Sequence, residues 1–75
     1  MGINDRLNEQ RAQFAENSIA DHARESGLLP FESKEAAIDL LSNIGHWCER
    51  NGMVFQEIIE EALENYHFER MQENE

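Results

Sequence analysis

An apolar stripe in the middle of the chain constrains the fold more than any other sequence feature. Its members recur every three or four residues: Ala37, Leu40, Leu41, Ile44, Trp47 and Cys48. An α-helix turns once in about 3.6 residues, so this spacing predicts an amphipathic helix. No segment shows the sustained alternation of apolar and polar residues that is typical of a strand. The sequence therefore predicts an all-α fold.

Glycines mark the expected ends of the helices. Gly27, shortly before Pro30, and Gly52 both follow helical patterns, and glycine readily adopts the positive φ angle found just after a helix. Ser33 is predicted to cap the second helix through its hydroxyl. We expect three helices, at about 4–26, 34–51 and 54–70, in one domain spanning residues 1–75. The short turn between the last two predicts an antiparallel helical hairpin.

The packing faces of the outer two helices are less regular than that of the second. In the first helix we expect a shared apolar face, formed by Ile3, Leu7, Phe14 and Ala15, with Ile19 and Ala23 near its edge. In the third helix the expected inner face comprises Val54, Phe55, Ile58, Ile59, Ala62, Leu63 and Tyr66. Gly45, inside the second helix, predicts that another helix approaches closely there. The apolar linker Leu28–Phe31 is expected to close one end of the core; the alternative is a docking patch.

The length of the chain limits its core and favours self-association. A domain of 75 residues buries a smaller share of its surface than a larger one does. Cys48 is the single cysteine, so a disulfide within the chain cannot stabilise it. We therefore predict a homodimer. The three aromatic residues Trp47, Phe55 and Tyr66 are expected in the core or, where they are left uncovered, at the dimer interface.

The charge of the chain bears on its partners. Sixteen acidic and six basic residues give a formal net charge of −10. This charge opposes direct binding to nucleic acid or anionic lipid, which needs clustered lysine and arginine, and favours a partner with a basic surface. No apolar run approaches the about 20 residues needed to cross a membrane, and no signal-peptide pattern is present. We expect a cytoplasmic protein.

The residues suited to chemistry do not form a recognisable site. His46 and Cys48 are two positions apart, so on a helix they point about 200° from each other, and zinc needs three or four converging ligands. Cys48 lies near a predicted helix C-terminus in an acidic chain, which disfavours a reactive thiolate. His22 and His67 lie elsewhere in the chain. We predict no catalytic residue, no metal site and no cofactor, with Cys48 as a buried structural thiol.

An ordered row of glutamates is the principal candidate site. Its four members lie at spacings of one, three and four residues on the third helix, opposite its apolar face: Glu57, Glu60, Glu61 and Glu64. One interpretation is a solvated outer face, the commonest role of a charge run. The other is a surface that resembles the phosphate row of a nucleic acid and occupies a basic groove. Duplex DNA carries about one charge per 1.7 Å of its axis, so the glutamates would imitate its charge only sparsely.

Part of the chain resembles known proteins of mobile elements. The stretch from Ala37 to Gly52, followed by Phe55–Glu57 and Ala62–His67, resembles small helical proteins of bacterial phages, plasmids and similar elements. Among these, anti-CRISPR and antirestriction inhibitors act by occupying sites on a nuclease complex. No residue here matches a diagnostic inhibitor motif, so the resemblance assigns no functional residue.

Two functions follow as expectations. The first is a non-catalytic protein-binding module, an inhibitor of the anti-CRISPR or antirestriction type, whose glutamate row binds a basic, nucleic-acid-handling surface of a host complex. The second is a small structural, assembly or dimerisation protein, in which the acidity serves only solubility. Steep weakening of binding by salt favours the first, and insensitivity to salt favours the second.

Overall fold

The computed structural model describes residues 3–28 and 32–73, and side-chain surroundings for residues 7–28 and 32–72. These residues form three helices: α1 (Ile3–Ser26), α2 (Ser33–Arg50) and α3 (Phe55–Glu73). No strand occurs within the described ranges, so the all-α class is confirmed. Of the apolar linker, Leu28 is exposed, and residues 29–31 lie outside the described residues.

Both predicted glycine stops are confirmed by their backbone geometry. Gly27 and Gly52 have φ angles of 74° and 71°. After α1, the Leu28 amide donates to the Ala23 carbonyl at 2.9 Å; after α2, the Met53 amide donates to the Cys48 carbonyl at 2.8 Å. These six-to-one hydrogen bonds define Schellman motifs, which satisfy carbonyls at the helix end. Helices α1 and α2 therefore end by the same mechanism, with an apolar residue directly after the glycine.

The predicted cap of α2 is wrong by one residue. Ser33 is the first helical residue, and the capping position is occupied by Glu32, whose backbone is extended and whose side chain makes no capping hydrogen bond. The Glu32 carbonyl already accepts from the Ala36 amide at 3.0 Å. The serine therefore lies inside the first turn, where its hydroxyl cannot replace a missing backbone partner.

The third helix extends beyond its predicted end at about residue 70. Helix α3 continues through Met71 and Gln72 to Glu73. Methionine, glutamine and glutamate all favour the helix, and the segment contains no glycine or proline that would end it. The third helix is consequently longer than its apolar pattern alone suggested.

The helices form two layers, with α1 packed across a V made by α2 and α3. Near the apex of the V, the Phe55 ring lies against Gly45. Farther out, α2 contacts α1 at His22 and α3 contacts α1 at Asn8. His22 and Asn8 are about 21 Å apart along α1, so α2 and α3 diverge from the turn that joins them. The shortest extent of the Cα atoms, 15 Å, corresponds to two packed layers.

Full burial is confined to small side chains. Among the described residues, those with no exposed surface are Ala23, Ala36 and Cys48. The prediction that Cys48 is a buried thiol is confirmed. Alanines at the contacts bring helix backbones close together, but they contribute little apolar area to a core. The interior is therefore thin, and larger apolar side chains remain partly exposed.

The predicted packing face of α1 is wrong at Phe14. Phe14 is 66% exposed, and it lies about 180° around the helix from the buried Ala23. Ala15, a member of the predicted face, lines the grooves beside the other helices, and so does Ala12. The side chain of Ile3 lies outside the described residues. Small residues occupy the contact because they allow neighbouring helices to approach more closely.

The prediction for Gly45 is confirmed in part. A Cβ atom placed on Gly45 would lie 3.0 Å from the Phe55 ring. The neighbour that approaches closely is thus an aromatic side chain at the start of α3. The absent Cβ lets this ring seat on the α2 backbone and set the position from which α3 departs.

Within the described ranges, no helix combines the length and the apolar character needed to cross a bilayer.

Candidate protein-interaction surfaces

The rotation of α3 about its own axis is fixed by its contacts at both ends. At its start, Phe55 lies against Gly45. Near its end, Glu69 pairs with Arg11 at 3.5 Å, and its carbonyl accepts from the Asn8 side-chain amide at 3.3 Å. The Arg70 guanidinium also stacks 5.8 Å from the centre of the Tyr66 ring. These contacts turn one face of α3 towards α1 and leave the opposite face open.

The open face carries the predicted glutamate row. All four members are exposed, and none has a described ion pair: Glu57, Glu60, Glu61 and Glu64. Each of them lies about 120–180° around α3 from Tyr66, which lines the groove beside α1. Four carboxylates therefore form an ordered anionic surface on the outer layer.

Two apolar residues that were not predicted from the sequence continue this acidic row. Phe68 follows Glu64 by four residues and Met71 follows it by seven, so all three share one side of the helix. Phe68 is 61% exposed and Met71 is similarly uncovered. We call the six residues the α3 outer face: Glu57, Glu60, Glu61, Glu64, Phe68 and Met71. The helical period predicts that Phe68 shares this face, but the prediction from the sequence considered only the glutamates.

The three predicted aromatic residues are not brought together in one core. Phe55 is half-buried on Gly45, whereas Trp47 and Tyr66 are 52% and 53% exposed. Tyr66 lines a groove of about 430 Å³ between α1 and α3. A core position is therefore incomplete for Trp47 and Tyr66 within one chain. The alternative, a position at a dimer interface, stays a prediction.

A second groove lies between α1 and the start of α2. Its volume is about 390 Å³, and its lining includes Ile19, Ala20 and Ser33. Ala12 and Ala15 line this groove as well as the groove beside Tyr66. The space beside the α1 alanines is thus open on both sides, which agrees with the thin interior.

A polar cluster joins α1 to α2, although no spacing pattern in the sequence predicted it. The His22 ring lies 2.7 Å from the Asp39 carboxylate, which also accepts from Asn43 at 3.3 Å. The Ser26 hydroxyl lies 3.3 Å and 3.5 Å from the two ring nitrogens of His22. These residues are up to 21 positions apart, so only the packing of the helices brings them together.

The geometry of this cluster suits a structural joint better than nucleophilic catalysis. A Ser–His–Asp arrangement uses one histidine nitrogen for the serine and the other for the carboxylate. Here Nε2 of His22 is the nearer nitrogen for both Asp39 and Ser26. The cluster can instead fix the crossing of α1 over α2 by hydrogen bonds between partly buried groups.

A metal centre is the remaining candidate site. In the described part of the chain, no three histidine, cysteine, aspartate or glutamate side chains converge as a metal site requires. His46 is exposed and Cys48 is buried, so the two side chains do not share a surface.

Comparison with known proteins gives no relationship from which a function could be transferred. The chain matches no protein-family model, no curated protein and no solved structure.

Proposed function

We propose that this chain is a non-catalytic protein-binding module that acts through the α3 outer face. The observation that carries the proposal is the junction of an exposed carboxylate row with two exposed apolar side chains on one helix side. Phe68 and Met71 are exposed on the same helix side as four charges, and exposed apolar surface rimmed by polar residues commonly marks an interaction site. An interface commonly combines apolar anchors with a charged rim in this way.

The chemistry of the face specifies the class of partner. Helix α3 contains six acidic residues and one basic residue, so its surface attracts a basic partner. Phe68 and Met71 require an apolar recess beside that basic surface. Following the resemblance to mobile-element proteins, the specific proposal is an inhibitor of the anti-CRISPR or antirestriction type. It occupies a basic, nucleic-acid-handling surface of a host protein complex in the cytoplasm.

The test is affinity capture from a host lysate with quantitative mass spectrometry. The wild-type chain is compared with a variant that carries Glu→Gln changes at Glu57, Glu60, Glu61 and Glu64. A matched control carries the same change at four other exposed positions: Glu9, Glu16, Glu25 and Glu32. The expected result is a basic, nucleic-acid-handling protein that is lost with the first variant, retained with the second, and released by salt.

Equal capture by both charge variants contradicts a role for the glutamate row. The non-catalytic part of the proposal has its own test. Inhibition or binding should persist after Cys48→Ala and after each histidine is changed to alanine, provided that circular dichroism shows an intact fold. Loss of activity in one folded variant, with capture unchanged, would indicate chemistry in place of binding.

A second candidate function is self-association, which the exposed surface favours. Phe14, Trp47 and Tyr66 each leave more than half of their surface exposed within one chain, and large aromatic side chains are typical anchors of a protein interface. Light scattering of the purified chain tests this directly.

A further inference from the structure

We infer that a second copy of this chain docks on the side of α1 that faces away from α2 and α3, with the two α1 helices antiparallel. This inference rests on the self-association proposed above and adds the surface and the register. The surface, here called the α1 outer face, consists of Leu7, Gln10, Phe14 and Asn17.

The exposure of Phe14 and the helical period define this surface. Leu7 and Phe14 are seven residues apart, so they lie within about 20° of each other on the helix. Both point away from the groove-lining Ala12 by at least about 140°. Phe14 is the most exposed large apolar side chain among the described residues. Among the described residues nothing covers it, because α2 and α3 lie on the other side of α1.

Charge decides between this surface and the α3 outer face. Helix α1 has five acidic and three basic residues, whereas α3 has six and one. Two α3 helices brought together would place their glutamate rows in mutual repulsion. Between Leu7 and Asn17, the one charged residue beside the α1 outer face is Arg11, which lies about 60° around the helix from Phe14 and pairs with Glu69. A second copy therefore meets less repulsion on α1, and the glutamate rows remain free for another partner.

The residue spacing also determines the register. A two-fold interface is isologous, so the residue that Leu7 contacts must in turn contact the Leu7 of the partner subunit. An antiparallel pair centred between Gln10 and Arg11 places Leu7 of each copy against Phe14 of the other. The overlap then ends before Asp21 and Glu25, the two acidic residues that lie on the same side of α1. Each phenylalanine packs on a leucine, with Arg11 of each copy at the edge of the pair.

The first experiment measures the dimer dissociation constant by sedimentation equilibrium, for the wild-type chain, Phe14→Ser and Phe68→Ser. The two phenylalanines are matched, at 66% and 61% exposure on helices. A central aromatic anchor removed from both copies should raise the dissociation constant by a factor of about 30 or more. Phe68→Ser should change it by less than a factor of about 3. Equal effects, or a larger effect of Phe68→Ser, overturn the proposed surface.

The second experiment tests the register by mixing Leu7→Cys chains with Phe14→Cys chains under oxidation. Cys48 can remain, since it is buried. Facing positions across an antiparallel pair should give a disulfide between the two different variants, which mass spectrometry detects. Disulfides chiefly between identical variants would show a parallel pair and overturn the register. A wild-type chain that stays monomeric overturns self-association itself, but leaves the α3 proposal intact.

Discussion

Helix α1 is attached to the other two helices by junctions of different kinds. At its C-terminal junction with α2, the His22 ring lies 2.7 Å from the Asp39 carboxylate, and a fully buried alanine lies beside each of these residues. At its N-terminal junction with α3, Arg11 reaches Glu69 at 3.5 Å across the rim of a groove of about 430 Å³. The same helix is thus closely packed at one end and loosely bridged at the other.

The difference shows how side-chain size divides a small chain into rigid and adaptable parts. Alanine lets helices approach until backbone and polar groups pack closely, so added volume has no room. Long side chains bridge a wider gap, but exposed ion pairs contribute little to stability. The α2 junction should therefore hold the fold, whereas the α3 junction should tolerate change. Four measurements at constant protein concentration test this contrast, ordered from the largest expected effect to the smallest.

Enlarging one alanine at each junction should give the largest difference. Ala23→Leu adds volume at a fully buried position, so it should lower the free energy of unfolding by about 1–3 kcal/mol. Ala12→Leu adds the same atoms beside two open grooves, so it should cause no loss. Urea unfolding followed by circular dichroism measures both. Equal losses would show that the grooves are not available space.

Removing the polar joint at the α2 junction should have the next largest effect. The His22 side chain is 14% exposed and hydrogen bonded to a carboxylate. His22→Ala should therefore lower the free energy of unfolding by about 1–2 kcal/mol. The matched change Ser26→Ala removes a more exposed member of the cluster and should have a smaller effect. If Ser26→Ala proved the more damaging, the histidine–aspartate contact would not be the joint.

The contact between α2 and α3 supplies an intermediate case. Gly45→Ala should gain about 1 kcal/mol of helix propensity, but its Cβ would meet the Phe55 ring at 3.0 Å. The gain should therefore appear only in a Phe55→Leu background, where the crowded ring atoms are absent. A double-mutant cycle should give a coupling of about 1 kcal/mol. Additive effects would mean that the ring moves aside freely.

Removing the bridge at the α3 junction should have the smallest effect. Arg11 and Glu69 are both substantially exposed, so Arg11→Ala should change the free energy of unfolding by less than about 0.5 kcal/mol. The same urea titration, repeated at high salt, provides the control, since screening should abolish even this difference. A loss as large as that of His22→Ala would contradict the contrast between the junctions.

Local sequence signals predicted local structure well. The three- and four-residue spacing gave the all-α class, and Gly27 and Gly52 adopt the expected positive φ angles. Both signals act through the backbone of one segment and need no knowledge of tertiary packing. Ser33 shows the limit even here, because the choice of capping residue depends on where the preceding chain becomes extended.

Signals that depend on a distant neighbour failed or were missed. The apolar residues of α1 suggested a face containing Phe14, but alanines allowed the closer contact and left Phe14 outside. The His22–Asp39 joint and the Arg11–Glu69 bridge join residues far apart in sequence, so no spacing pattern announces them. For the candidate site, the exposure of the glutamates agrees with their spacing. Phe68 was overlooked although the same helical period includes it.

The burial of Cys48 makes the chain a reporter of its own opening. A thiol reagent can reach this sulfur only when α2 separates locally from its neighbouring helices, because the side chain has no exposed surface. With the other sulfur atoms held in methionines, the alkylation rate reads a single location in the molecule. When closing is fast compared with labelling, that rate gives the free energy of the local opening. A partner seated on one face should slow the labelling only if it restrains the layer in which the sulfur lies.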